Sequence, residues 1–235
     1  NSQNILLNKK EILNRIKEYY SELYRTQNIN SETIKEYLNG IECERISSEH
    51  MSVCDEFVTS EEVLNTIKQL TKGKSPGRDE LTAEFYQKFR CELAPILEFL
   101  YNNILLKNHI MSDSMREGLI TLIYKGKGDR KDLKNWRPIS LLNNDYKIIS
   151  KILANRVKSC MDKIINTNQT CGTKGRDIQN NILNITTIID YIKETGKMGA
   201  MVLIDQEKAF DRIEHNYIEM VLEKFWFWRK IPKMH

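Results

Sequence analysis

Long apolar runs are missing from this sequence. No stretch approaches the roughly 20 consecutive apolar residues that a membrane-spanning helix requires, and no signal-peptide pattern opens the chain. Cysteine is sparse and unpatterned: Cys43, Cys54, Cys91, Cys160 and Cys171 are odd in number, widely spaced and contain no C-x-x-C. The four histidines do not cluster with them. This argues against a zinc site and a disulfide framework, favours a reducing compartment, and leaves the thiols as buried or incidental surface residues. Internal repeats and low-complexity tracts are also absent, which sets aside a solenoid or a compositionally biased tail.

What is present is enough for one substantial core, or one core with a small appendage: 235 residues, 40% of them hydrophobic. Starting at Asn1 and closing on FWFWRKIPKMH, the chain reads as a piece of a longer one. The formal net charge of +4 is modest, but its distribution is uneven. Tyr124 to Lys158 holds ten Lys/Arg against three Asp, so the remainder of the chain is net negative. A polyanion-facing surface is thereby localised to one segment.

Apolar spacing predicts a helix over Lys9–Tyr24 (Ile12, Ile16, Tyr19, Tyr20, Leu23) and a shorter one over Ser31–Leu38, read as a packing or linker pair. Glu42–Glu62 is acidic and aperiodic, as in a loop, and Thr59-Ser60-Glu61-Glu62 is a capping box that opens a helix with Val63, Ile67 and Leu70. KGKSPGRDE (72–80) reads as a turn-rich loop whose cations suit phosphate or a solvated surface. Thr82–Lys107 is helical in pattern, with Pro95 expected to split it. Asp145–Ile165 carries a broad apolar face of Ile148, Ile149, Ile152, Leu153 and Val157. The Gly-rich turn CGTKGR (171–176) between two long helices would aim Lys174 and Arg176 outward, and a last helix follows from about Glu214 to Phe225.

Two stretches carry chemistry. GLITLIY (118–124) and RPISLL (137–142) read as strands joined by KGKGDRKDLKNW, a hairpin with a tip of about twelve residues, and connections that long are often functional. Overhanging a groove, Lys125, Lys127, Arg130, Lys131 and Lys134 would face a nucleic-acid backbone, while Arg137, more rigidly held, would suit bidentate gripping of a triphosphate. A solvated basic loop is the competing reading. The second stretch is MGAMVLIDQEKAFD (198–211), in which the short apolar run Ala200–Ile204 reads as a buried strand ending on Asp205. A carboxylate at a strand's carboxyl end, with the aromatic Phe210 five positions on, is what a metal-dependent nucleotidyl transferase needs: the acid for Mg²⁺, the ring to floor a sugar pocket. A core aromatic is the alternative for Phe210, and a cap and a surface charge are the readings for Asp211 and Glu207.

With its elements in this order, the chain resembles the amino-terminal half of the reverse transcriptase of non-LTR (LINE-type) retrotransposons. KGKSPGRDELTAEFY is similar to the segment K-A-P-G-x-D-G-l-x-x-E-F of that family, with Glu80 where the family has glycine. ITLIYKGKGDRKDLKNWRPISLLNNDYKIISKILANRV resembles the first two polymerase blocks of the fingers, CGTKGRDIQNN the third, and VLIDQEKAFDRIEH the first palm block, motif A. The likeness covers about Ser60 to Phe225.

The resemblance implies an α+β fold of right-hand polymerase fingers and partial palm, helix-rich, with a long-tipped hairpin and a palm strand. Residues 1–58 would form a helical leader, 59–225 the fingers and partial palm, and 226–235 a truncated tail. It further implies that Asp205 is the motif A catalytic metal ligand for Mg²⁺, that Phe210 lies under the incoming sugar and rejects a 2′-hydroxyl, and that Lys125 and Arg137 contact the dNTP triphosphate. Arg176, Lys174 and the basic tip (Lys127, Arg130, Lys131, Lys134) would track an RNA template and DNA primer, in the nucleus or cytoplasm and away from any membrane. In that family two-metal catalysis draws further carboxylates from an Asp-Asp hairpin, and no Asp-Asp pair occurs in these residues. The expectation is a fragment of an RNA-directed DNA polymerase, inactive alone. Its rivals are a non-catalytic nucleic-acid-binding relic and a protein whose Lys9–Tyr24 helix binds a partner.

Overall fold

Thr59 and Glu62 exchange side chain-to-backbone hydrogen bonds (3.2 and 3.1 Å), closing the expected capping box and starting a helix that is apolar on one side. In the computed structural model, residues 8–27, 29–106, 110–173, 175–225 and 227 are described. They are helix-rich, with one two-stranded antiparallel sheet, and fall into two compact units that do not follow chain order.

The first unit takes residues 55–155 together with the opening segment. Its helices are α1 (Lys9–Leu23), α4 (Ser60–Lys68), α5 (Ala83–Lys88), α6 (Arg90–Leu106), the short α7 (Asp113–Arg116) and most of α8 (Asn144–Lys158); strands β1 (Gly118–Tyr124) and β2 (Trp136–Leu142) form the hairpin. Val63 and Ile67 of α4, Ala94, Leu97 and Tyr101 of α6, and Ile148, Ile149 and Ile152 of α8 build its core. The period-3.6 apolar face read from 145–165 is therefore what packs. Side chains tie the layers: Asn102 brackets the backbone of Val58 (2.7 and 2.8 Å), and the Tyr101 hydroxyl donates to Asp145 O (2.7 Å).

The second unit takes residues 30–54 and 156–227, so the expected leader is shared between the two units. It holds α2 (Ser31–Asn39), α3 (Ser48–Cys54), the end of α8, α9 (Met161–Ile164), α10 (Ile178–Thr195) and α11 (His215–Lys224). Helices α2 and α11 meet start to start and end to end: Asn216 donates to Ser31 Oγ (3.0 Å), and Lys224 Nζ caps the carbonyls of Leu38 and Ile41. Gly196, at φ 60°, ends α10 in the left-handed conformation that favours glycine.

Three expectations are corrected. Pro95 lies inside α6, and the helical stretch breaks at Phe89 instead. Pro95 forfeits one hydrogen bond inside the helix, a loss offset by the burial of Ala94, Leu97, Tyr101 and Leu105 along it. The acidic stretch 42–62 contains α3, too short to show a period. The palm strand expected over Ala200–Ile204 is not formed: the run is irregular, and Ile204 is 90% exposed. A strand needs a neighbour to take its N–H and C=O groups, and among the described residues the sheet consists of β1 and β2 alone. Of the expected tail 226–235, Phe227 alone is described.

Candidate nucleotide and nucleic-acid site

The hairpin sorts its side chains by parity. Arg137 sits opposite Ile123 and Trp136 opposite Tyr124. Successive side chains alternate faces, so Lys125, two positions past Ile123, shares a face with Arg137. Lys125 N donates to Asn135 O (2.9 Å), extending the ladder one step beyond the strands. Such diagonal neighbours lie about 7–8 Å apart at the backbone, a spacing that two long cationic side chains close easily around one polyphosphate. Arg137 is exposed, as are Ile123 and Ile139 of the same face, so the face is open. Lys125 Nζ donates to Lys134 O (2.7 Å), which orients the ammonium while leaving it further N–H donors.

The other face organises the tip. The Tyr124 and Trp136 rings lie 5.5 Å apart, and the Arg130 guanidinium stands 4.9 Å from the Tyr124 ring centre. Trp136 Nε1 donates to Arg130 O (2.8 Å) and Tyr124 Oη to Gly128 O (2.5 Å), while Asn135, of the same parity as Arg137, donates through Nδ2 to Asp129 O (2.8 Å). Asp129 and Asp132 accept from the backbone N–H of Lys131 and Lys134 (both 2.9 Å). The two acids of the basic loop thus serve its own turns. Lys127, Arg130, Lys131 and Lys134 are all exposed, and Arg130 also lies against the Tyr124 ring.

In the same unit Lys68, Lys72, Lys88 and Arg90 line a concavity of about 560 Å³. Its acid, Glu84, accepts from Gly73 N (2.7 Å), and that backbone bond holds the carboxyl below the ordinary range. The surface beside the 72–80 loop is accordingly cationic.

The remaining site residues belong to the second unit. Arg176 turns inward, in place of the outward side chain the turn pattern implies. Its guanidinium donates to the carbonyls of Asn166 (2.5 Å), Gln169 (3.0 Å) and Ile165 (3.1 Å), the peptide groups that follow α9. Carbonyls left over at a helix end attract a nearby arginine. Lys174 lies outside the described residues. Asp205 is exposed, and Phe210 is 98% exposed within a single 3₁₀ turn (Ala209–Asp211) entered through Lys208 at φ 51°. That rules out the core-aromatic alternative for Phe210 within the described residues. Glu207 accepts from Arg212 (3.0 Å), in keeping with a surface charge.

A magnesium ion asks for near-octahedral oxygen coordination. Asp205 supplies one carboxylate, and among the described residues no group of three or more His, Cys, Asp or Glu side chains is placed to hold a metal. These residues do not fit a complete magnesium site. Reading the sequence missed Asn143 and Asn144, buried polar side chains at the foot of the hairpin. An Asn pair between a strand and a strongly periodic helix was the available signal.

Residues 125–231 match the family model for reverse transcriptase (RNA-dependent DNA polymerase). The chain is similar to the transposon TX1 uncharacterised 149 kDa protein of Xenopus laevis, with 32% identity covering 92% of this chain and 16% of that protein. It is also similar to the RNA-directed DNA polymerase from mobile element jockey of Drosophila melanogaster, with 26% identity over 70% of this chain and 18% of the relative. A third relative is the retrovirus-related Pol polyprotein from type-1 retrotransposable element R2 of Popillia japonica, with 28% identity over 71% of this chain and 22% of that protein. The chain thus spans about a fifth of the length of these relatives or less. Together these matches show that the chain belongs to the reverse transcriptases of non-LTR retrotransposons.

Proposed function

We propose that this chain is the fingers and partial palm of an RNA-directed DNA polymerase, binding a dNTP through Lys125 and Arg137 and an RNA template–DNA primer hybrid through the hairpin tip. The observation that carries this reading is the placement of Lys125 and Arg137 on one open hairpin face. Phosphoryl transfer depends on positioning and charge neutralisation more than on a protein nucleophile. A guanidinium and an ammonium held by one ladder are suited to that task. In this reading Phe210 serves the sugar, Asp205 contributes one ligand to the catalytic magnesium, and Arg130 and Arg176 shape the surfaces that Lys127, Lys131 and Lys134 present. The lone carboxylate also makes the 235 residues by themselves incapable of polymerisation. It equally favours a second reading, a nucleic-acid-binding polypeptide without catalysis, in which the hairpin tip does the same work and Lys125 and Arg137 have no nucleotide partner.

Two titrations test the proposal. Affinity for an RNA–DNA hybrid should fall steeply with salt, and Lys127→Ala, Lys131→Ala and Lys134→Ala should each reduce the log–log slope by about one phosphate's worth. An unchanged slope in the triple variant would remove the tip from the binding surface. Arg137→Ala should weaken dNTP binding by about tenfold or more while leaving that slope alone. Absence of dNTP binding in the unaltered chain, with hybrid binding intact, would favour the second reading.

A further inference from the structure

We propose that Asn143 is a positioning residue that clasps the turn 77–81 to both legs of the hairpin and thereby sets the Lys125–Arg137 face on the helical core. The nucleotide part of this inference rests on the function proposed above; the clasp itself does not.

A two-stranded hairpin is marginal by itself, and much of this one is exposed. Its orientation must therefore be fixed at its foot. Asn143, one residue past β2, is 2% exposed. Its amide nitrogen donates to Ser114 O (2.8 Å) and Ser114 Oγ (3.1 Å), on α7 just ahead of β1. Its amide oxygen accepts from Asp79 N (3.3 Å) in the turn. One side chain thus joins the residues before β1, those after β2 and a loop 64 positions away. Its backbone carbonyl also accepts from Lys147 N (3.1 Å), at the start of α8.

Three further contacts converge on the same place. Asn144, also buried, donates to Leu81 O (2.7 Å) at the far end of the turn. Arg78 pairs with Glu117, the residue before β1 (2.8 Å). Gly77 is buried with its backbone against β2, and a Cβ there would come within 2.6 Å of Leu142 C and 2.5 Å of Asn143 N. Backbone atoms cannot yield to such a contact as a flexible side chain would, so only glycine lets the turn lie this close. The segment matching K-x-P-G-x-D is thus a wedge seated in the hairpin's foot, and Asn143 is the group that locks it. Losing the amide would take away the partner of the Ser114 carbonyl and of the Asp79 N–H together, at the partly buried foot of the hairpin.

The test compares hydrogen exchange of the hairpin amides with that of the core amides of α6 and α8, alongside dNTP and hybrid titrations, for Asn143→Asp, Asn143→Ala and Gly77→Ala. Asn143→Asp keeps the acceptor for Asp79 N but sets a buried carboxylate oxygen against the Ser114 carbonyl, so it should loosen the foot further than Asn143→Ala does. The expected result is exchange of the β1–β2 ladder about tenfold faster in Asn143→Ala and Gly77→Ala, with α6 and α8 protected as before. Affinity for dNTP should drop about tenfold, because misplacing paired groups weakens their joint grip. The salt slope for hybrid binding should stay the same, since the tip lysines are untouched. Hairpin protection unchanged in all three variants would overturn the clasp. So would equal loss of protection in α6, α8 and the hairpin in Asn143→Ala, which would mark a general stability role. Faster hairpin exchange in a chain that binds no dNTP would uphold the clasp while refuting the nucleotide function.

Discussion

Two apolar runs of similar composition have opposite fates in this molecule. GLITLIY becomes β1, while AMVLI, before Asp205, stays irregular and exposed. The difference lies in what each has to pair with. The partner of β1 begins twelve residues after it ends, and an amide clasp closes the foot of the hairpin. The run at 200–204 has no partner strand among the described residues. Strand formation is a property of two segments, and composition reports on one of them.

The largest effect expected from this contrast is on stability. Ile148, 0% exposed in the first unit, should cost about 2–5 kcal/mol when changed to alanine. Leu203→Ser and Phe210→Ala, at exposed positions of the second unit, should stay within about 0.5 kcal/mol. Thermal or denaturant unfolding of the three variants checks this. A large loss in Leu203→Ser would mean that the run is packed in solution, and the contrast would break.

A smaller effect is expected inside the well-packed unit itself. Glu80 holds φ at 60°, in the turn where Glu80 N donates to Gly77 O (3.3 Å). This is the position at which the family pattern has glycine, and the left-handed geometry explains why. A side chain there costs roughly 1–2 kcal/mol, against which glycine loses about 0.5–1 kcal/mol of chain entropy. Glu80→Gly should therefore stabilise the protein by about 0.5–1 kcal/mol, seen as a higher denaturation midpoint with unchanged slope. A destabilised variant would show that the turn relaxes away from this conformation.

Local and periodic signals were legible in the sequence. The capping box at Thr59, the two strand-like runs of the hairpin, the apolar face of α8 and the glycine that ends α10 all act within a few residues. Lys125 and Arg137 stand out because they lie in the blocks that carry the family likeness, and the ladder register puts them on one face. What escaped was non-local. The amide of Asn143 reaches back 29 and 64 positions, and the inward turn of Arg176 depends on carbonyls exposed by the end of α9. Pro95 misled because a helix's tolerance of proline is set by the packing of the whole helix.

The contrast sharpens last at an acid. Asp205 stands in open coil, whereas Asp145, in the first turn of α8, is half-buried beneath the clasp. Burial pushes the Asp145 carboxyl up, the Tyr146 N–H (2.6 Å) pulls it down and the charge of Asp79 adds to the rise; the net shift is upward. Burial, reinforced by Asp145, also holds the Tyr86 and Tyr101 hydroxyls above the ordinary tyrosine range, so Tyr101 remains a donor to Asp145 O. A folded-state value above the unfolded one means that the native protein holds this proton more tightly than the unfolded chain does. The stabilising contribution of protonated Asp145 is fully present below the unfolded value of about 3.9 and is lost as pH rises through the folded value. Asp145→Asn keeps an acceptor for Tyr146 N–H and leaves the backbone carbonyl to Tyr101. It should melt higher than the unaltered protein at pH 7, and the gap should close as pH falls below about 4. A gap that stays constant from about pH 3 to about pH 8 would place the effect in packing rather than in charge.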